Sequence, residues 1–305
     1  MILISCPIHD IFIQSLKANG KTFVHIPDIS REELIQKIPE VEGLVISTRI
    51  MIDKPLLEKA SRLRWIARLG SGMEHVDLNY AQQNGIDCHS SPEGNCMAVA
   101  EHALGMLLSL SRHICKSNLE VRDFVWNRKS NKGMELSGKK MGIIGYGHTG
   151  SGFARILRGF DMEILAHDKY KKGWGDERIR ETDLQTIQHE CDIISFHLPL
   201  TEETYHYAND DFFQALQKKP VLINTSRGSV VHSGALLKAL EKKLVSGACL
   251  DVLENENAAE FQQPDNENIR KLIQHPKVLV TPHIAGYSIE ADEKMAKSLL
   301  KKLEL

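Results

Sequence analysis

The sequence has no long apolar run, no excess of either charge and no closely spaced cysteine pair. No stretch of 18 apolar residues occurs in the 305-residue chain, so no transmembrane helix is expected. Lysine and arginine number 38 against 40 acidic residues, a balance that does not favour nucleic acid or an acidic membrane surface as a partner. The six cysteines are scattered without a C-x-x-C motif. This indicates buried thiols in a reducing compartment, and neither a disulfide framework nor a zinc site.

The amino terminus also lacks the features of a secretory signal. Residues 1–6 form a short apolar run that meets Pro7, His9 and Asp10 at once, which is typical of a first β-strand. We therefore expect a cytoplasmic protein. No cluster of histidines and acids has the spacing of metal ligands on one element, so the sequence implies no metal. The length of the chain favours two domains over a single core.

The most informative motif lies in residues 141–150, MGIIGYGHTG, where an apolar run leads into a G-x-G-x-x-G turn. A second apolar run ends at Asp168, 18 positions after the last glycine, which is the layout of a dinucleotide-binding βαβ unit. Gly145 permits the tight turn, and Gly147 lets the backbone approach a pyrophosphate. Gly150 allows the helix to pack close to the strand, and the N-terminus of that helix favours the phosphates.

The acid at the end of the second run indicates which dinucleotide is bound. The Asp168 carboxylate can accept hydrogen bonds from an adenosine ribose and would repel a 2′-phosphate. The basic residues Lys169, Lys171 and Lys172 follow directly and would tolerate a phosphate. We predict NAD as the cofactor, in preference to NADP.

Short apolar runs alternate with helical patterns from one end of the chain to the other. The predicted strands before residue 95 are 2–5, 23–26, 44–46, 65–69 and 86–88. The predicted strands after residue 138 are 141–144, 164–166, 193–196, 221–223, 248–252 and 278–280. Helical patterns such as 31–38 and 56–60 lie between them. The alternation predicts an α/β protein with two doubly wound parallel-sheet domains, one flavodoxin-like and one Rossmann-like, and a cleft between them.

The dinucleotide turn lies near the middle of the chain, so a substrate-binding domain is expected to precede the cofactor domain. We predict a discontinuous substrate domain of residues 1–94 plus 287–305 and an NAD-binding domain of residues 95–286. A helix at 97–112 is expected to connect the two domains, and a helix at 288–305 to return to the first. Two crossings of this kind would act as hinges beside a ligand-binding cleft.

Polar side chains follow three later strands of the predicted cofactor domain, and they are Arg227, the acids Asp251, Glu254 and Glu256, and His283. Hydride transfer to a 2-keto acid needs a cation for the carboxylate and a proton donor for the developing alkoxide. Arg227 suits the first task because its planar fork pairs with carboxylate oxygens, and His283 suits the second. A carboxylate beside His283 would stabilise the imidazolium form. The residues alone leave open which acid does so.

These segments resemble those of the D-isomer-specific 2-hydroxyacid dehydrogenases, and the resemblance runs over nearly the whole chain. Residues 69–78, LGSGMEHVDL, are similar to the family's substrate-side signature. Residues 92–101, PEGNCMAVAE, resemble its hinge-helix pattern, and residues 195–204, SFHLPLTEET, resemble the segment on the adenosine side. Several motifs in the right order make an accidental match very improbable.

The resemblance implies a role for each matching residue. The catalytic arginine, glutamate and histidine of the family correspond to Arg227, Glu256 and His283, so Glu256 rather than Glu254 is expected to orient the histidine. Asp251 corresponds to an aspartate near the nicotinamide. The other implied cofactor-binding residues are His148, Thr149, His197, Leu198, Pro199, Thr204, Thr225, Ser226 and Gly286. The implied substrate-binding residues include Ser71 and Gly72, through the backbone amides of a carboxylate-binding turn, and Asn95.

A few positions depart from the family pattern. Leu253 replaces a usual aromatic residue and Asn257 replaces a common proline, so this loop is expected to be looser. His232 stands where an aspartate usually begins the next helix. We expect Ser233 to cap that helix instead.

Residues 93–95 resemble those of 3-phosphoglycerate dehydrogenases within the family. Arg49, after the third strand, and Arg128, in the basic segment 126–129, are expected to bind a phosphate. The resemblance therefore implies oxidation of 3-phosphoglycerate to 3-phosphohydroxypyruvate, a step of serine biosynthesis. We expect an enzyme without the serine-binding regulatory domain of some relatives, because the chain ends soon after the last helix.

Two alternatives to a phosphoglycerate dehydrogenase stay open. A hydroxypyruvate or glyoxylate reductase would have the same scaffold and the same catalytic residues, and only the pocket would differ. An NAD-sensing binding protein like the corepressors of this fold belongs to another functional class. The predicted helix 97–112 is apolar on too many sides to face solvent, which is compatible with the homodimer usual in the family.

Overall fold

The computed structural model describes residues 1–256, 261, 263 and 266–305. The strands in these residues form two parallel sheets. The chain divides into two compact units. Met1–Ala98 and Gly286–Leu305 form the first, and Val99–Ala285 form the second. One dividing point falls inside a long helix, α5 (Pro92–Ser111). The predicted fold class of two doubly wound parallel-sheet domains is confirmed.

The strands of the first unit are β1 (Ile2–Ile4), β2 (Phe23–His25), β3 (Gly43–Ile46), β4 (Trp65–Arg68) and β5 (Asp87–Ser90). Its helices besides the start of α5 are α1 (Asp10–Ala18), α2 (Arg31–Lys37), α3 (Lys54–Leu57), α4 (Leu78–Gln83) and α12 (Ile289–Leu303), with a 3₁₀ turn at Ile38–Glu40. The sheet has the order β2-β1-β3-β4-β5, with every pair parallel. This is the strand order of flavodoxin-like folds.

The last helix returns the end of the chain to the first sheet. Leu299 and Leu300 of α12 are buried in one cluster with Phe12 and Leu16 of α1. Full burial of each such side chain contributes about 1.5–3 kcal/mol. Ser288 caps α12 by accepting a hydrogen bond from a first-turn backbone N–H. The helix predicted at 288–305 is therefore confirmed, with ends that differ by one or two residues.

The strands of the second unit are β6 (Lys140–Ile144), β7 (Glu163–His167), β8 (Ile179–Glu181), β9 (Ile193–Phe196), β10 (Val221–Asn224), β11 (Gly247–Leu250) and β12 (Val278–Val280). Its helices are α6 (Ile114–Arg122), α7 (His148–Leu157), α8 (Leu184–Glu190), α9 (Asp210–Gln214), α10 (Ser233–Glu241) and α11 (Glu267–Gln274), with a 3₁₀ turn at Gly228–Val230. The sheet order is β12-β11-β10-β9-β6-β7-β8. Numbered from β6, this is the Rossmann order 3-2-1-4-5-6 with one further strand.

Burial explains which strands the sequence predicts. All residues of β9, β10 and β11 are buried, because helices cover both faces of a parallel sheet. The edge strand β8 has a single buried residue, Ile179, and for that reason its three residues carry no apolar pattern. The sequence therefore does not predict this strand.

The long helix α5 begins earlier than the apolar pattern indicates. Its first residue is Pro92, five positions before the predicted start at residue 97. Proline is favoured in the first turn of a helix because its missing N–H has no partner to lose there.

In the part of the chain that the structure describes, no helix is long and apolar enough to cross a membrane.

Candidate active site

The glycine-rich turn connects β6 to α7 in the second unit. Gly145 has φ +94°, and a side chain there would overlap the backbone carbonyl of His197. A Cβ on Gly150 would overlap the carbonyl oxygen of Gly145, so this glycine allows the helix to pack against the turn. Gly147 is the N-cap of α7, and no side chain caps the first N–H groups of this helix. A Cβ on Gly147 would have no atom within 4 Å. The turn therefore exposes the helix N-terminus that a pyrophosphate needs.

Asp168 follows β7 and is tied to this turn. Its Oδ2 accepts a hydrogen bond from the backbone N–H of Tyr146 at 2.9 Å, and its Oδ1 accepts from those of Tyr170 and Lys171 at 3.0 Å. Partial burial opposes ionisation, but the three backbone bonds hold the pKa of Asp168 below its usual value. The carboxylate is therefore charged at neutral pH, as a ribose-binding acid of an NAD enzyme needs to be.

Two of the lysines beside Asp168, Lys169 and Lys171, have partners in the structure. Lys169 forms an ion pair with Glu203, and the hydroxyl of Tyr170 donates to the same carboxylate. Lys171 Nζ donates to the backbone carbonyl of Tyr146 at 3.0 Å. These contacts reduce the positive charge that a 2′-phosphate would meet.

Residues at the carboxyl ends of β9 and β10 complete a surface suited to a dinucleotide. Leu198 and Pro199 follow β9, and the carbonyl of Pro199 accepts a hydrogen bond from Thr204 Oγ1 at 2.5 Å. Thr225 follows β10, and its buried Oγ1 has no hydrogen-bond partner among the described residues. Buried polar atoms are nearly always bonded. The exposed helix N-terminus, the charged Asp168 and this hydroxyl therefore fit the binding of NAD.

His197 lies in the core of this surface. Its Nε2 is 2.9 Å from Ser195 Oγ, and its side chain is buried. Burial lowers the pKa of His197 to about 3. The ring is therefore neutral at working pH, and it packs beside the ring of Phe153 with the centroids 5.5 Å apart.

Glu256 and His283 form the central pair of the site. Glu256 Oε2 lies 2.6 Å from His283 Nδ1, although 27 residues separate them in the chain. His283 has φ +55°, a left-handed conformation that is uncommon outside glycine. The structure brings together the two residues that the resemblance pairs.

Asp251 holds the loop that carries the histidine. Its side chain is 2% exposed. Oδ1 accepts from Thr281 Oγ1 at 2.6 Å and from the backbone N–H of Ile284 at 3.0 Å, while Oδ2 accepts from that of Ala285 at 2.8 Å. The backbone carbonyl of Asp251 accepts from His283 N–H at 2.8 Å. The carboxylate thus holds this loop, including the left-handed backbone of His283, in place, a role that the sequence does not predict.

His102 is a further member of this network. Its Nε2 lies 3.0 Å from Thr281 Oγ1 and 3.5 Å from Asp251 Oδ1. The residue is on α5, and 179 positions separate it from Thr281. No local sequence pattern predicts a contact between residues so far apart in the chain, although His102 directly follows the hinge-helix segment 92–101.

Glu254 pairs with a different histidine, His206. Its Oε1 accepts from His206 Nε2 at 2.5 Å, and its Oε2 accepts from Ser233 N–H at 2.6 Å. The residues alone leave open which glutamate pairs with His283, and the structure shows that it is Glu256. The prediction that Ser233 caps α10 is wrong, because His232 is the N-cap and its Nδ1 accepts from the N–H of Ala235.

Arg227 follows β10, and short bonds fix its backbone. Asn224 Nδ2 donates to the carbonyl of Arg227 at 3.0 Å, and Ser226 Oγ donates to Asn224 Oδ1 at 2.8 Å. The guanidinium donates to the carbonyl of Ser226 at 2.7 Å. The neighbouring Leu253 is buried despite replacing an aromatic residue, whereas Asn257 lies outside the described residues.

The predicted substrate residues of the first unit lie around one turn after β4. Gly70 has φ +127°, and its N–H donates to Ser91 Oγ at 2.9 Å. Ser71 Oγ donates to Asn95 Oδ1 at 3.0 Å, and Gly72 follows in the same turn. Gly286, predicted to contact the cofactor, belongs to this unit, where a Cβ would come within 2.9 Å of Asn95 Nδ2.

The two arginines predicted to bind phosphate lie in different units. Arg49 Nη2 donates to the backbone carbonyls of Ser5 at 3.2 Å and Pro27 at 3.0 Å. Arg128 is exposed in a turn after α6. Its neighbour Asn127 accepts a hydrogen bond from Ser130 N–H. The guanidinium of Arg49 therefore already binds its own chain.

Known proteins are similar to this chain in sequence and in fold. Residues 104–285 match the profile of the D-isomer specific 2-hydroxyacid dehydrogenase, NAD binding domain. A hydroxypyruvate reductase of Thermotoga maritima is 34% identical over 90% of this chain and 88% of its own. A D-3-phosphoglycerate dehydrogenase of Archaeoglobus fulgidus is 32% identical over 95% of this chain, which spans 54% of that protein. The crystal structure of Aquifex aeolicus D-lactate dehydrogenase with NAD and lactic acid has a TM-score of 0.84 and 27% identity, covering 99% of this chain and 94% of its own.

The fold and the site together define an NAD-dependent oxidoreductase with a Rossmann-type cofactor domain. The chain belongs to the D-isomer-specific 2-hydroxyacid dehydrogenase family. The prediction of this family, of an enzyme and of NAD as its cofactor is therefore confirmed.

Proposed function

We propose that the chain interconverts a short D-2-hydroxy acid and its 2-keto acid. The contact between Glu256 and His283 carries this proposal. A proton on Nδ1 donated to Glu256 leaves Nε2 as the nitrogen that exchanges a proton with substrate. His283 donates that proton to the developing alkoxide in the reduction and accepts it in the oxidation. Bound NAD supplies the hydride acceptor, and NADH the donor.

The remaining roles in this proposal are positional and electrostatic. Arg227 binds the substrate carboxylate and polarises the carbonyl, because its backbone is held by Asn224 and its planar fork matches a carboxylate. The turn at Ser71 and Gly72 supplies backbone amides to the same carboxylate. Asp251 keeps the loop of His283 in place.

We propose hydroxypyruvate or glyoxylate as the keto acid, in preference to a phosphorylated one. Arg49 is the main candidate for a phosphate contact in the first unit. Its Nη2 instead donates hydrogen bonds to two backbone carbonyls. The similarity to the Thermotoga hydroxypyruvate reductase also covers most of both chains. 3-Phosphoglycerate is the second candidate, with a role in serine biosynthesis. It is supported by the similarity to a D-3-phosphoglycerate dehydrogenase over 95% of this chain.

The test of the substrate is NADH oxidation with four keto acids in parallel: hydroxypyruvate, glyoxylate, phosphohydroxypyruvate and pyruvate. We expect kcat/KM for hydroxypyruvate or glyoxylate to exceed that for phosphohydroxypyruvate by about tenfold or more, a difference of about 1.4 kcal/mol. NADPH serves as the control cofactor and should react more slowly, because Asp168 would face its 2′-phosphate. A preference for phosphohydroxypyruvate would restore the second candidate.

Two arginine variants test the second candidate directly. Arg49→Ala and Arg128→Ala should leave the selectivity between phosphohydroxypyruvate and hydroxypyruvate unchanged if no phosphate is bound. Arg62→Ala is the matched control, since Arg62 is an exposed arginine of the first unit. A loss of kcat/KM confined to phosphohydroxypyruvate in either variant would assign a phosphate contact to that arginine.

We also propose a homodimer. The exposed apolar side chains of α6 and the segment after it are Ile114, Leu119, Val121, Phe124, Val125 and Trp126. Phe124 is 99% exposed and Trp126 is 80% exposed, which is unusual for such large rings in a monomer. A second copy of the chain is the proposed partner, and a cytoplasmic location remains a prediction consistent with the free cysteines.

A further inference from the structure

Glu254 connects three segments of the second unit. It lies two positions before Glu256 in the loop after β11. Its Oε1 accepts a hydrogen bond from His206 Nε2 at 2.5 Å. Its Oε2 accepts from the backbone N–H of Ser233, at the start of α10, at 2.6 Å. One carboxylate therefore binds the loop of Glu256 to two other parts of the chain.

One of these parts is the segment that begins at Arg227. After Arg227 the chain makes the 3₁₀ turn Gly228–Val230 and reaches Ser233 within a few residues. A Cβ on Gly228 would overlap the backbone carbonyl of Leu253, so the segment already lies against the loop of Glu254. The backbone N–H of His206 donates to the carbonyl of Ser229 at 2.7 Å. The segment after Arg227 is thus held between His206 and the loop of Glu254.

The pair of His206 and Glu254 is itself well supported. The ring of Tyr205 stacks on that of His206 at a centroid distance of 3.9 Å, and the ring of His232 meets it edge-on at 4.5 Å. His206 has φ +51°, a conformation that a residue with a Cβ keeps only when its surroundings hold it. Burial opposes ionisation of Glu254, but bonds from Ser233 and His206 keep the pKa of its carboxyl below the usual value.

We propose that Glu254 and His206 are positioning residues, which fix Arg227 and Glu256 relative to each other. This inference rests on the proposed function, in which Arg227 binds the substrate and Glu256 orients His283. The two groups stand on separate loops, after the paired strands β10 and β11, and the contacts of Glu254 join these loops beyond the end of the sheet. A displacement of about 1 Å in such a geometry costs about 100-fold in rate.

Variants of Glu254 test the proposal through kcat. Glu254→Ala removes both bonds and should lower kcat about 10- to 100-fold, while KM for NADH changes less than about twofold, because Glu254 follows β11 and the glycine turn follows β6. Glu254→Gln should retain kcat within about threefold, because its carbonyl can accept from Ser233 and its amide can donate to His206. Glu241→Ala, an exposed acid at the end of α10, is the matched control and should behave as the parent enzyme.

A second variant reaches the same contact from the other side. His206→Asn suits the left-handed backbone, because asparagine tolerates positive φ, but its side chain is too short to reach Glu254. It should lower kcat as Glu254→Ala does, with a melting temperature near that of the parent enzyme. This variant keeps the test valid if Glu254→Ala folds poorly.

The outcomes separate a positioning role from a structural one. Unchanged kcat in Glu254→Ala and His206→Asn would overturn the proposal. So would a loss of activity that only follows the loss of folded protein and that Glu254→Gln does not restore. His283→Gln, measured in the same assay, distinguishes failure of the positioning role from failure of the proposed function. If that variant is inactive while Glu254→Ala is fully active, only the positioning role fails, and if it is active, the proposed function itself fails.

Discussion

Replacement of Asp251 by asparagine tests the account of the loop that carries His283. The carboxylate accepts hydrogen bonds on both oxygens, from Thr281 and Ile284 on one and from Ala285 on the other. Asparagine has one acceptor oxygen, so its amide N–H₂ would face a backbone N–H in place of the second oxygen. The N–H of Ala285 belongs to a residue that is 3% exposed and would lose its partner. An unsatisfied buried donor costs about 1–3 kcal/mol.

We therefore expect Asp251→Asn to lower the free energy of unfolding of the second unit by about 2 kcal/mol. Urea denaturation without cofactor measures this, and hydrogen exchange of residues 281–285 should become faster in the same variant. Thr281→Val removes the hydrogen bonds of Thr281 Oγ1 with Asp251 and with His102 and should cost about 1–2 kcal/mol. Asp211→Asn, an exposed acid in the first turn of α9, is the control and should stay within about 0.5 kcal/mol of the parent protein. A parental urea midpoint for Asp251→Asn would refute the reasoning.

Three further predictions concern the cofactor turn, a buried histidine and the exposed apolar surface. Gly145→Ala should raise the Kd for NADH by about tenfold or more in calorimetric titration, because φ is +94° and the new methyl overlaps the carbonyl of His197. The folded-state pKa of His197, about 3, lies below the unfolded value near 6.5, so folding stability should fall by about 1.4 kcal/mol per pH unit below pH 6.5. His197→Gln should lack that fall in urea melts at pH 7 and 5.5. Phe124→Ala with Trp126→Ala should convert a dimer into a monomer by light scattering, whereas a monomeric parent protein would exclude the dimer.

The strands could be predicted from the sequence because their burial is local and continuous. The bounds predicted for the strand 193–196 agree with β9, in which every residue is buried. The edge strand β8 could not be found in this way, because Arg180 is exposed, Glu181 is half-buried and only Ile179 is buried. The start of α5 was missed for a related reason. Its first residues, Pro92 to Asn95, are not apolar.

The site could be predicted only in part, because some of its contacts are local and others join residues far apart in the sequence. The sequence predicts Gly145, Gly147, Gly150 and Asp168 as cofactor-binding residues, because the turn and the acid lie within one βαβ unit. The choice of Glu256 over Glu254 required the family resemblance, because both acids occupy the same short loop.

Other members of the site have no local signal. The contact of His102 with Thr281 spans 179 residues, and that of His206 with Glu254 spans 48. The cap of α10 shows the same limit at short range. The sequence favoured Ser233 by type, but the ring of His232 reaches the Ala235 N–H at 3.0 Å.

The most direct test of the central claim is the kcat of His283→Gln and Glu256→Gln for NADH oxidation, with NADH affinity measured in the same preparations. Loss of the proton donor should lower kcat by about 10²- to 10⁴-fold, and loss of the carboxylate that holds it should lower kcat by a smaller factor. NADH affinity should hardly change in either variant, because Glu256 and His283 follow β11 and β12 and are not part of the glycine turn after β6. A His283→Gln enzyme with parental kcat would contradict the assignment of His283 as the acid–base group.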